Sequence, residues 1–291
     1  MMNIRTDLAL ECRELAPTNC YGIESEELSV GEAKITRIEV VDHRGEEALG
    51  KPKGHYVTIE VPPFAQEEVA DDTRRSAVTV ELSRMLPEQG TVLVAGLGNH
   101  NITPDALGPK ASEKILATRH ISEELAKSLG LGKLRSVSVI APGVLGKTGM
   151  ETVEILRGAV EQIKPCAVIV IDAMASRRLS RLGCTVQLSN TGIMPGSGVG
   201  NKRKEINEKT LGVPVISMGV PTVVDASTLA KDLLTKHPED ILDDITQNGE
   251  RMMVTPREID TLITHASDLI ALSVNCALHP HLSPELITSL V

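Results

Sequence analysis

Two aspartates, Asp105 and Asp172, each follow an apolar run that reads as a buried strand. The first lies in Gly96-Leu-Gly-Asn-His-Asn-Ile-Thr-Pro-Asp105-Ala-Leu-Gly-Pro109, directly after Thr91-Val-Leu-Val-Ala95. The second opens Asp172-Ala-Met-Ala-Ser176, after Cys166-Ala-Val-Ile-Val-Ile171. Glycines let a chain turn sharply at a strand end, and in open α/β sheets the carboxyl edge of the strands is where chemistry is usually placed. Two strands that each bring one carboxylate to the same edge would make a two-acid site. Such a pair can hydrolyse a bond without a nucleophilic side chain: one group takes a proton from water and the other protonates the leaving group. Like charges at close quarters resist joint ionisation, so the pair shares a proton. Asp105 lies in a polar loop ahead of a helix, which favours the ionised base. Asp172 ends a strongly apolar strand, which favours the protonated acid.

Other chemistries find less support. The loop at 96–98 has G-x-G but no third glycine in the dinucleotide-binding position, and neither a P-loop nor a G-x-S-x-G nor an H-E-x-x-H pattern occurs. Asn99, His100 and Asp105 could join Asp172 around a divalent ion, which leaves a metal-dependent hydrolase as one alternative, although no metal or other cofactor is expected. A second alternative is a non-catalytic peptide- or anion-binding module, in which the glycine-rich stretch Asn190–Asn201 forms an anion nest or a surface lid. The five cysteines, Cys12, Cys20, Cys166, Cys184 and Cys276, are scattered without a C-x-x-C pair and read as reduced thiols.

Composition narrows the partners. The chain has 291 residues, a net charge of −9, one Phe, two Tyr and no Trp. Acidity disfavours nucleic acid and anionic membrane, and the scarcity of aromatics removes base-stacking platforms. The start, Met1-Met-Asn-Ile-Arg-Thr-Asp7, carries no apolar signal region, so the chain is expected to stay in the compartment where it is made. Strand patterns fall at 33–41, 54–61, 91–95, 136–141, 167–171, 183–188 and 213–218. Helical patterns fall at 71–86, 111–120, 122–129, 148–164, 226–234 and from Pro256 to about Ala277. Residues 237–249 read as a polar, acidic surface excursion. From residue 91 onward strands alternate with helices, the pattern of a mostly parallel sheet covered on both faces.

Several of these segments together resemble the germination protease family of endospore-forming bacteria: Arg5-Thr-Asp-Leu-Ala9, Gly96–Pro109, Thr118-Arg-His120, Ala141-Pro-Gly-Val-Leu145, Ile171-Asp-Ala-Met-Ala175, Asn190–Asn201, Gly219-Val-Pro-Thr-Val-Val-Asp-Ala226, Val254-Thr-Pro256 and Asn275-Cys-Ala-Leu-His-Pro280. The resemblance implies an atypical aspartic endopeptidase that degrades small acid-soluble spore proteins at germination. It implies a self-processing zymogen in the cytoplasm of the developing spore core, assembled as a homotetramer. It implies a three-layer α/β/α fold with a mostly parallel central sheet, similar to hydrogenase maturation endopeptidases. The family's catalytic aspartates fall on Asp105 and Asp172. Its cleavage preference, an acidic residue before an apolar one and Ala, falls on Thr6-Asp7-Leu8-Ala9. Scission is therefore expected between Asp7 and Leu8, dividing the chain into a propeptide of residues 1–7 and one peptidase domain of residues 8–291. On local pattern alone, Thr6-Asp7 would simply start a helix. A cleavable peptide must lie extended across the acids, with Asn99, Ser197 and Asn201 as candidate substrate-binding groups.

Overall fold

A computed structural model describes residues 5–17, 20–65, 72–201, 203–233 and 252–291. The strands are β1 (Ile23–Val30), β2 (Ala33–Val40), β3 (Gly54–Glu60), β4 (Val92–Gly96), β5 (Val137–Ile140), β6 (Ala167–Ser176), β7 (Thr185–Ser189), β8 (Val215–Asp225) and β9 (Met253–Val254). Among the described residues they form one sheet in the order β1-β2-β3-β7-β8-β6-β4-β5, with β9 on β8. The half built after residue 91 is parallel across β5-β4-β6-β8. The N-terminal strands extend it antiparallel, with β7 joining the halves through antiparallel pairs to β3 and β8. The sheet is thus mixed. Its antiparallel half arises because β1 and β2 are joined by a tight hairpin at Gly31, too short for a parallel crossover.

Period-two alternation loads both faces. Val92 and Val94 of β4 and Ile169 and Ile171 of β6 face one core, filled by Val78 and Leu82 from the helix Asp72–Met85, Leu107 from the helix Leu107–Ser112 and Ile263, Ile270 and Val274 from the helix Ile259–Leu278. Their neighbours Leu93, Ala95, Val168 and Val170 face a second core with Val153, Leu156 and Val160 of the helix Thr152–Ile163. The layers are therefore helix, sheet, helix. The helix Ile259–Leu278 is long and apolar enough to cross a membrane by composition, but here it is the central helix of the first core.

Five elements differ from the sequence reading. No helix spans 111–120; it starts earlier, at Leu107, and stops at Ser112. The chain then turns to cap β5: the N–H groups of Thr118 and Arg119 both donate to the carbonyl of Val137, and Val137 N–H donates to Thr118 Oγ1 at 3.0 Å. The pattern at 148–164 divides at Gly149, whose φ of 71° ends one short helix before Thr152 begins the next. Strands β6 and β8 run well past their apolar cores, to Ser176 and Asp225, because each completes the other's ladder there. Strand β1 has only a weak signal in the sequence, since its side chains are mostly polar and exposed. The segment 237–249 lies outside the described residues.

One close approach fixes the loop that follows β4. A Cβ on Gly108 would lie 2.4 Å from the carbonyl oxygen of Ile171 and 2.2 Å from that of Leu97. Gly96 faces it, and a Cβ there would lie 2.1 Å from the Gly108 carbonyl oxygen. Only paired glycines let this helix start press against the ends of β4 and β6. Gly108→Ala is expected to cost about 1–3 kcal/mol through backbone displacement, measured as a fall in the urea midpoint. An unchanged midpoint would show that the contact is not tight.

Candidate active site

Asp105 is presented by a single turn of 3-10 helix, Thr103–Asp105, beyond the end of β4. The turn is tied at both ends. Asn99 N–H donates to the Asp105 carboxylate at 2.8 Å and to its carbonyl at 3.1 Å. Thr222 of β8, fully buried, donates its hydroxyl to the Pro104 carbonyl at 2.7 Å. Gly98 makes this possible: its φ is +114°, and a Cβ there would sit 2.0 Å from the Asp105 carbonyl oxygen.

Asp172 is not on a loop after its strand; it is the sixth residue of the ten in β6, opposite Gly219 of β8. The pairing of β4 with β6 ends at Gly96 and Ile171, so Asp172 is the first residue of β6 beyond its β4 neighbour. The connection after β4 goes one way in the sheet, to β5, and the connection after β6 goes the other way, to β7. The crevice at the carboxyl ends of β4 and β6 is therefore the topological switch point where such folds bind ligands. Asp105 and Asp172 both line that cavity, of about 560 Å³.

Electrostatics separates the two acids. Asp172 is 6% exposed and accepts one hydrogen bond, from Ala173 N–H at 2.9 Å. Burial first, then the charges of Asp105 and Asp7, push its carboxyl well above the usual range. Asp105 is half-buried, and burial raises its carboxyl too, opposed by the Asn99 N–H bond. The loop thus favours the Asp105 charge less than its polar sequence suggests, because desolvation outweighs a single donor. Burial raises the Asp172 carboxyl further than that of Asp105, so Asp172 keeps its proton the more readily of the two, as one coupled unit.

The N-terminal segment enters the same cleft. Asp7 N–H donates to the Ala175 carbonyl at 2.9 Å, and Ala175 N–H donates to Asp7 Oδ2 at 2.9 Å. Ser197 Oγ donates to Asp7 Oδ1 at 2.7 Å. A Cβ on Gly198 would lie 2.1 Å from Asp7 Oδ2, so the 190–201 loop closes over this carboxylate through a glycine. Arg5 anchors the segment upstream, donating to the fully buried Asp225 at 3.0 Å. Thr6 does take part in starting the helix Ala9–Leu15, accepting from Leu8 N–H and donating to Glu11; Asp7 points away into the cleft.

The other expected residues divide. Asn99 and Asn201 line the cavity and Ser197 contacts Asp7, but Asn99 acts on Asp105 through its main chain. Leu8 is fully buried. His100 is not brought to the acids: it is exposed and its imidazole faces Glu113 at 3.6 Å. Among the described residues no group of three His, Cys, Asp or Glu is placed to hold a metal. Sequence reasoning missed Lys51, Ala175, Gln187 and Asp225, which hold the N-terminal segment. Asp225 could have been suspected as a second strand-end aspartate, but the lysine and glutamine carry no local signal.

Comparison with known proteins adds the family. The family model described as germination protease matches residues 7–238. The chain belongs to the germination protease family. A germination protease of Caldanaerobacter subterraneus is 43% identical, the alignment covering 98% of this chain and 97% of that one. One from Clostridium perfringens is 43% identical over 98% of each chain. One from Bacillus subtilis is 37% identical over 97% of this chain and 95% of its own. Among solved structures, a [NiFe] hydrogenase maturation protease HycI from Thermococcus kodakarensis is similar at a TM-score of 0.38 and 14% identity, covering 67% of this chain and 98% of that one. Membership of the germination protease family makes this chain a peptidase of spore germination.

The raised Asp172 carboxyl has a consequence for stability. A carboxyl whose folded pKa exceeds its unfolded one binds its proton more tightly in the folded state. Its stabilising contribution is complete below about pH 4 and drains away as pH rises through the folded pKa. Asp172→Asn removes that loss, so the variant is expected to melt above the wild type at pH 8, with the gap closing toward pH 4. Thermal unfolding across this range checks it; a gap that is constant or reversed would contradict the buried-acid assignment.

Proposed function

We propose that this chain is an aspartic-type endopeptidase that degrades small acid-soluble spore proteins, with Asp105 as general base and Asp172 as general acid. The observation that carries the reading is the shared cavity at the switch point, which brings together two carboxyls of unequal acidity. Asp105 accepts a proton from a water as it attacks the peptide carbonyl. Asp172 then gives its proton to the amine nitrogen as the C–N bond breaks. Such general acid–base assistance contributes about 10²–10⁴ per group. A metal-dependent peptidase reading loses its imidazole, since His100 faces Glu113.

The chain is proposed to be a zymogen cut between Asp7 and Leu8, leaving residues 8–291 as the peptidase domain. The segment Arg5–Asp7 supports this by lying in the cleft as a peptide would: main chain on the edge of β6, acidic side chain held by Ser197 Oγ and Ala175 N–H. The segment Arg5–Asp7, anchored by the Arg5–Asp225 ion pair, would restrain the precursor by occupying the groove until it is cut. Ser197 then reads the acidic residue before the cut in any substrate, with Asn99 and Asn201 lining the groove beside it. Homotetramer assembly and residence in the spore core are carried over from the family as part of the proposal.

Asp105→Asn and Asp172→Asn are each expected to lower kcat on a spore-coat protein by at least about 10²-fold. Wild-type rates in both would end the two-acid reading. Ser197→Ala is expected to raise KM for peptides with Asp or Glu before the cut by about tenfold, the worth of one hydrogen bond to a charged group, while leaving any slow cleavage after Gln unaffected. N-terminal sequencing of matured enzyme is expected to begin at Leu8.

A further inference from the structure

The carbonyl of Asp7, the group attacked if the cut falls between Asp7 and Leu8, accepts two hydrogen bonds from side chains that the two-acid reading does not use. Lys51 Nζ donates to it at 3.0 Å and Gln187 Nε2 at 2.8 Å. Gln187 also reaches past the bond: its Oε1 accepts from Ala9 N–H at 2.6 Å. One amide side chain thus brackets the Asp7–Leu8 peptide, giving to the carbonyl on one side and taking from the N–H beyond the other.

Sheet register places these donors relative to the acids. Asp172 of β6 is opposite Gly219 of β8, and Gly219 is opposite Gln187 of β7. Residues in one row point to the same face of a sheet. Asp172 and Gln187 therefore share a face, two strand spacings or roughly 10 Å apart, with a residue lacking a side chain between them. Met174, two residues on from Asp172, packs over that glycine and borders both the acid cavity and the neighbouring cavity that Lys51 and Gln187 line. Lys51 follows Gly50, whose left-handed backbone ends the helix His43–Leu49, and borders the same cavity as Gln187. Gln187 is 4% exposed, so its dipole acts in a dry setting.

We propose that Lys51 and Gln187 form the oxyanion-stabilising pair of this peptidase; the proposal rests on the two-acid reading above. When water adds to the carbonyl carbon, the C=O π pair moves onto oxygen, and the alkoxide develops where an ammonium and an amide N–H already point. Collapse of that alkoxide restores the C=O bond and expels the amine, which leaves with the proton from the acid. The products are a carboxyl on the acidic residue and a free amine on the next. Both donors already reach the ground-state carbonyl oxygen, and their bonds strengthen as negative charge gathers on it; losing one such donor typically costs about 10²–10³ in kcat. The same pair would receive the carbonyl of each substrate's acidic residue once Arg5–Asp7 has left.

The test uses the full-length chain and its matured form with Lys51→Met, Lys51→Arg, Gln187→Ala and, as reference, Asp105→Asn. Self-cleavage is followed by intact mass, and kcat and KM are measured on a synthetic peptide with Glu before Leu-Ala. Lys51→Met and Gln187→Ala are expected to lower kcat by about 100-fold with KM changed less than about threefold. Lys51→Arg, which keeps a cationic donor, should recover at least about a tenth of the wild-type rate. Self-cleavage should slow in parallel. If kcat is held and only KM rises, the pair merely binds substrate and the proposal is overturned. If Gln187→Ala does not fold, the partly exposed Lys51 decides alone. If Asp105→Asn is inactive while the Lys51 and Gln187 variants keep wild-type kcat, this inference fails and the two-acid reading survives. If Asp105→Asn is fully active, both fail.

Discussion

The site depends on one constraint: a carboxyl held inside a strand, out of water, beside a second carboxyl. Asp172 cannot turn to solvent, because β6 continues past it to Ser176, paired with β8 across a bulge between Met174 and Ala175. Asp105 cannot retreat, because Asn99 and Thr222 pin its turn and Gly108 wedges the following helix against β4 and β6. The protein thereby keeps an unfavourable pair together, and the rest of its fold offsets the cost. Buried like charges are ordinarily relieved by taking up a proton, and a shared proton is what general acid–base hydrolysis requires.

The third carboxylate, Asp7, belongs to the same account. Its charge helps to raise the Asp172 pKa, yet it is stabilised where it lies by a hydroxyl, a main-chain N–H and the glycine that lets the loop close. A cleft built to receive an acidic side chain next to two acids must supply donors of its own. Those donors come from β6 and the 190–201 loop. The proposed oxyanion pair comes from elsewhere, from β7 and from the end of a short N-terminal helix. The antiparallel half of the sheet, which adds nothing to the acids themselves, thus positions one of the groups facing the bound chain.

Much of this was legible in the sequence because it is local. Short apolar runs marked β4 and β6, and a glycine-rich turn or an aspartate after each marked the edge. The layered α/β architecture followed from the alternation after residue 91. What was not legible is long-range. Asp172 reads as a strand end because the apolar run stops there; only pairing with β8 carries the strand onward. The helix expected at 111–120 was lost to a tertiary demand, the capping of β5 by Thr118 and Arg119. Lys51 and Gln187 lie 44 and 180 residues from Asp7 along the chain, and nothing beside them in sequence marks them. His100 shows the converse: a suggestive residue next to the acids in sequence whose imidazole folds away from them.

The most direct measurement of the central claim is carbon-13 NMR titration of the aspartate carboxyls in the wild-type chain and in Asp105→Asn. The account predicts that Asp172 stays protonated well above the ordinary aspartate range, that Asp105 titrates below it, and that Asp105→Asn brings the Asp172 midpoint down. An Asp172 carboxyl that ionises near pH 4 and does not respond to the loss of Asp105 would contradict it.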